Sequence, residues 1–186
     1  MKKKYELTEE TIEVNGRILH RIKAVRDFGC VKAGYLGGFI QEENLSQEGN
    51  AWVYCNAKVY GDAKVYDNAE VYGNAKVYGN AEVFDNAEVC GDTRVYGDAR
   101  VYGDARVCGD AEIKNNTDYI VFKNFWSSGR FFTWTRSNNM WKVGCFYGTG
   151  EELIKKAYED SKKSGREYER VVRYVESILA DERKEE

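Results

Sequence analysis

Ala57-Lys58-Val59-Tyr60-Gly61-Asp62 is followed at once by Ala63-Lys64-Val65-Tyr66-Asp67-Asn68, the same six-residue unit in the same phase. Working outward from this pair, a β-branched residue recurs every six positions: Val53, Val59, Val65, Val71, Val77, Val83, Val89, Val95, Val101, Val107 and Ile113. Two residues before each stands a small one, alanine everywhere except Thr93. A turn pair follows each, such as Gly61-Asp62, Asp67-Asn68 or Gly97-Asp98. Valine favours strands and points inward, and alanine fits a corner too tight for more. Gly, Asn and Asp tolerate the positive φ of a sharp turn. The chain has no proline, so these residues must make its turns.

A fixed period of this kind is the mark of a stacked repeat. Three units close one triangular coil of 18 residues, so residues 45–116 predict about four coils stacked by parallel strand pairing. At ~4.8 Å per layer the stack is roughly 19 Å tall. Each strand is expected to span three residues, the middle one buried. The first face then stacks Trp52-Val53-Tyr54, Glu70-Val71-Tyr72, Glu88-Val89-Cys90 and Arg106-Val107-Cys108. The second carries Lys58, Lys76 and Arg94 beside Tyr60, Tyr78 and Tyr96. The third alternates Lys64, Glu82 and Arg100 beside Tyr66, Phe84 and Tyr102. Cations beside a column of aromatic rings suit an anionic aromatic ligand such as a nucleotide. The same rungs also suit stabilisation of the solenoid and packing against a neighbouring subunit.

The ends differ in composition. Residues 1–44 predict a small β cap built on a hairpin, Thr11–Val14 and Arg17–Ile22 around Asn15-Gly16. Gly34-Tyr35-Leu36-Gly37-Gly38-Phe39-Ile40 lacks the lysine of a phosphate loop and reads as close backbone packing. Residues 117–186 predict a module of three strands (118–124, 130–136 and 140–147) and two helices. Thr149 with Glu152 forms a capping box for the first helix, from about 150 to 163. Tyr168, Val171, Val172, Val175, Ile178 and Leu179 give the second a helical apolar stripe. The charged tail, 181–186, is expected to fray, and the module to pack on the last coil or on a partner subunit. Strand alternation puts Arg130, Phe132, Trp134 and Arg136 on one face, with Trp126 before them and Lys142 on the next strand. That set reads either as an anion or base-stacking surface or as module core with its arginines at the rim.

The repeats resemble the left-handed parallel β-helix of hexapeptide-repeat proteins, a likeness covering about two fifths of the chain. The resemblance implies a mainly β fold with left-handed coils and side-by-side association as a homotrimer. Arg26-Asp27-Phe28, the glycine-rich run at 34–40 and Gly144-Cys145-Phe146-Tyr147-Gly148-Thr149 resemble small phage and prophage proteins of this layout, a group that brings no established activity.

Several function classes are disfavoured by composition. Twenty-eight Lys and Arg against 31 Asp and Glu argue against general nucleic-acid binding. No apolar run nears the ~18 residues that span a bilayer, so no membrane partner is expected. Met1-Lys2-Lys3-Lys4 resembles the start of a signal peptide, but polar Tyr5–Glu10 stands where its apolar stretch would follow. With five cysteines read as free thiols, including Cys90 and Cys108 on adjacent rungs, a bacterial cytoplasm is expected. A hexapeptide-repeat acyltransferase would need a coil histidine as general base, and the single histidine, His20, lies in the hairpin. One histidine also excludes a three-histidine zinc site, so no metal and no cofactor are expected. The reading is a non-enzymatic binding protein that sequesters a nucleotide-like anion or inhibits a host defence protein. A structural trimer in a virion is the alternative.

Overall fold

The computed structural model describes residues 3–185, so Met1, Lys2 and Glu186 lie outside it. The chain opens with β1 (Tyr5–Val14), β2 (Arg17–Ala24) and β3 (Leu36–Ile40). Eleven two-residue strands follow: β4 (Trp52–Val53), β5 (Lys58–Val59), β6 (Lys64–Val65), β7 (Glu70–Val71), β8 (Lys76–Val77), β9 (Glu82–Val83), β10 (Glu88–Val89), β11 (Arg94–Val95), β12 (Arg100–Val101), β13 (Arg106–Val107) and β14 (Glu112–Ile113). Then come β15 (Tyr119–Lys123), β16 (Phe131–Thr135), β17 (Met140–Val143), β18 (Phe146–Gly148), α1 (Gly150–Asp160) and α2 (Lys162–Glu185). The fold is mainly β: a β-solenoid of about four turns, a strand hairpin before it, and an antiparallel sheet with two helices after it.

The solenoid's three faces are parallel ladders, β4-β7-β10-β13, β5-β8-β11-β14 and β6-β9-β12. Every repeat valine, and the alanine or threonine before it, is fully buried. Strands are two residues long rather than the expected three, because the third residue divides its bonds. Tyr54 still donates its N–H to Val71 O in the next coil (2.8 Å), but its carbonyl accepts from Ala57 N (3.1 Å) and closes the corner. Corner amides form ladders of their own, Asn50 to Asn68 to Asn86 at 3.0 and 3.2 Å.

Both ends of the tube are covered, as an exposed solenoid edge requires. At the start, β3 pairs in parallel with β5, so the hairpin extends the second face. Gly37 and Gly38 lie so close to the first coil that a Cβ on either would fall 2.5 Å from a backbone carbonyl, that of Val53 or Ala57. Lys4 is buried below that coil, its ammonium donating to Glu48 O (3.1 Å) and Ala51 O (3.0 Å).

At the other end the sheet order is β15-β16-β17-β18, four strands among the described residues instead of three. The expected strand at 140–147 is broken in two by a turn at Gly144, whose φ of +56° suits glycine. The capping box forms as expected, Thr149 accepting from Glu152 N. The charged end does not fray within the described residues: α2 runs to Glu185, and Lys184 pairs with Asp181 (2.8 Å). The sheet is sandwiched. Phe132, Trp134, Trp141 and Val143 form a core with Leu153, Ala157, Tyr168, Val172 and Val175 of the helices. On its other side Thr133 Oγ1 accepts from Arg106 N of the last coil (2.9 Å), while Tyr119 and Val121 pack on the solenoid core.

Candidate functional site

Of the residues singled out in the C-terminal module, only Trp134 and Arg136 border one cleft together, with Leu179 and Glu182, among the described residues. Phe132 and Trp134 are fully buried under the helices, so they are core and not a stacking surface. Trp134 spends its indole N–H on Asn139 Oδ1 (2.9 Å). Arg136 is held by Glu182 through two bonds, 2.8 and 3.1 Å, which raise the pKa of its guanidinium further. Lys142 is paired with Thr133 in the register and shares that residue's sheet face, away from Trp134. Trp126 stands exposed at the β15–β16 tip, stacked on Phe125 at 4.0 Å. Arg130, at the foot of the same tip, has no acidic partner or side-chain acceptor among the described residues.

The cation–tyrosine face is also rearranged by its own packing. Tyr60, Tyr78 and Tyr96 stack on one another at 5.1 and 5.2 Å with nearly parallel planes. Each inner π-face is thus already covered, and Tyr60 is buried further under Leu19 and Phe39. Burial raises the pKa of Tyr60 and Tyr78 above that of a free phenol. A base therefore cannot intercalate without breaking the column. Of the cations, Arg94 is neutralised by Glu112 (2.7 Å), and Lys58 donates to Asn56 O (2.9 Å). Burial, and then the charge of Lys76, lowers the pKa of Lys58. Lys76 has no carboxylate within ion-pair distance among the described residues.

Arg130 stands between two clefts. One cleft of about 340 Å³ is bounded by the β17–β18 turn and the helices, with Arg130, Phe146, Leu153, Lys156, Asp160 and Tyr168 on its walls. A second, of about 320 Å³, lies between the module and the first solenoid face, where Arg130 and Phe131 meet Glu88 and Arg106. Gly144 lines both, and the Arg130 side chain lies across it, 3.6 Å from where a Cβ would be. Arg106 is already paired with Glu88 (2.8 Å). Lys156 is not among the residues the sequence marks. The signal that would have found it is Gly144, a turn residue inside an apparent strand.

His20 lies on β2, its Nδ1 donating to Thr8 O (3.1 Å). No group of three His, Cys, Asp or Glu side chains is placed to hold a metal among the described residues. No helix among them is long and apolar enough to cross a membrane. Cys90 and Cys108 are joined as a disulfide, which corrects their reading as free thiols; Cys30, Cys55 and Cys145 are free and exposed.

Comparison with known proteins gives one local likeness. The chain is similar over residues 93–109, about one coil, to a family described as YdcK Beta solenoid repeat. No curated protein matches it.

Proposed function

We propose that this chain is a non-enzymatic, oligomeric binding protein of phage or prophage origin that sequesters a nucleotide-like anion in a bacterial cytoplasm. The observation that carries the reading is the cleft around Arg130. There an arginine and Lys156, neither of them ion-paired among the described residues, stand beside Phe146, Leu153 and Tyr168. A guanidinium forks a phosphate or carboxylate, a lysine adds a point charge, and the apolar wall takes a ring. Asp160 at the rim would accept an N–H from that ring's edge. No histidine lines the cleft to act as a general base near neutral pH, which favours binding over catalysis. The hexapeptide, left-handed type of the coils and a homotrimer belong to the same proposal.

A second reading, a structural trimer in a virion, is favoured by the third face. Tyr66, Phe84 and Tyr102 form a stacked column at 4.9 and 5.2 Å, with Tyr102 half exposed. Native mass spectrometry of protein purified gently from a bacterial host separates the two. Binding predicts an oligomer heavier than its chains by a few hundred daltons per site, the extra mass lost in Arg130→Ala/Lys156→Ala. An oligomer without extra mass, together with the protein in purified particles, would favour the structural reading.

A further inference from the structure

Each solenoid face ties its coils together with side chains, and the first face changes its tie halfway up. Tyr54 reaches the next coil's Glu70 (3.3 Å), and Tyr72 reaches Glu88 in the same way (3.1 Å). One coil further the pattern would need an acid at 106, where Arg106 stands. There the tyrosine column is replaced by Cys90 and Cys108, bonded across 18 residues with Cα atoms 4.6 Å apart. Thr93, which breaks the alanine column, donates to Cys90 O (2.7 Å) beside this link.

The stapled coil is the seat of the C-terminal module. Arg106 N donates to Thr133 Oγ1 (2.9 Å), and Glu112 N to Ser137 Oγ (2.7 Å). Asn138 Nδ2 reaches Asp110 (2.9 Å), and Tyr147 lies against Gly109, where any side chain would displace it. Three further cysteines are exposed and unpaired among the described residues, a pattern that fits surroundings where thiols stay reduced. A disulfide in such surroundings is usually transient or redox-sensing.

We propose that Cys90–Cys108 is a reversible redox staple that sets how firmly the last coil holds the C-terminal module. This does not depend on what the Arg130 cleft binds. Opening is a two-electron exchange with a low-molecular-weight thiol. Its thiolate attacks one sulfur, the Cys90–Cys108 bond breaks and a mixed disulfide forms. A second thiol resolves it, leaving two protonated cysteines and the oxidised form of the small thiol. Releasing the link removes a loop constraint, and the coil it frees is the one the module sits on.

The test is hydrogen–deuterium exchange on the full chain with Cys30, Cys55 and Cys145 changed to serine, in oxidised and in reduced glutathione. The Arg106 and Glu112 amides, bonded to the module, should exchange about a hundredfold faster when reduced, the order expected for a loop of this length. Amides of the first two coils should not change, and reoxidation should restore protection. Cys90→Ala/Cys108→Ala in the same background should be insensitive to glutathione. Equal exchange of the Arg106 and Glu112 amides in both redox states would overturn the proposal. Two titratable thiols in that background after air oxidation would also overturn it, because the bond would not have formed. The comparison of the two redox states of the triple-serine chain stands even where the double variant does not fold.

Discussion

The solenoid and the C-terminal sheet are both β structure, and they hide their residues for different reasons. In the solenoid the same two positions of each unit are buried, so Val83 has the same fate as Val65 and Val101. In β16 the alternation is equally clean, yet Phe132, Thr133, Trp134 and Thr135 are all buried. Helices cover one side of that strand and the last coil covers the other. Alternation separates two faces of a strand; it names the solvent face only when one face is left open. The difference shows why a repeat is easier to read than a single sheet. In a stack each unit supplies its neighbours' environment, whereas β16 depends on elements distant in the chain.

The comparison breaks most visibly at a repeat position. Val83→Asp puts a carboxylate into a closed tube of valines, with no partner. It should cost at least about 4 kcal/mol and abolish cooperative folding in urea followed by circular dichroism. A transition close to wild type would mean that the tube is not closed. Next in size is a pair of tryptophans in the other region. Trp134→Ala should lose roughly 3–5 kcal/mol in denaturant titration, and Trp126→Ala less than about 0.5. Equal losses would reverse the assignment of core and surface in the module.

The smallest effect compares tyrosines at the two locations. Burial, aided by the Glu88 carboxylate, pushes Tyr72 in the solenoid up from 10.0 to about 12. Burial at the junction does the same to Tyr119, also to about 12. Both phenols stay protonated in the fold while the unfolded chain ionises, so their contribution is complete below pH 10 and lost as the pH rises from 10 to 12. Urea midpoints at pH 8 and 11 should therefore fall, and Tyr72→Phe and Tyr119→Phe should each shallow the fall. An unchanged slope in both variants would show that neither phenol is held in its neutral form.

The candidate site was less legible than the fold. Arg130 is marked by the strand pattern, and of the two readings open for its companions the core one holds for Phe132 and Trp134. Arg136 goes to an ion pair with Glu182, and Lys142 to the opposite face. Lys156 joins Arg130 only because β17 and β18 turn at Gly144 and present it to α1. On the solenoid, the column of Tyr60, Tyr78 and Tyr96 was legible, but not that its rings would cover one another.

What the sequence determined by itself was everything set by local rules repeated in phase. The buried valines, the alanine corners, the Asn15-Gly16 hairpin turn and the Thr149–Glu152 cap each follow from a few neighbouring residues. What only the tertiary structure decided was which surfaces stay open. The module's seat on the last coil covers one side of β16 as the helices cover the other, and the hairpin buries Tyr60. Those outcomes depend on contacts between segments far apart in the chain, and no period in the sequence records which distant surface arrives.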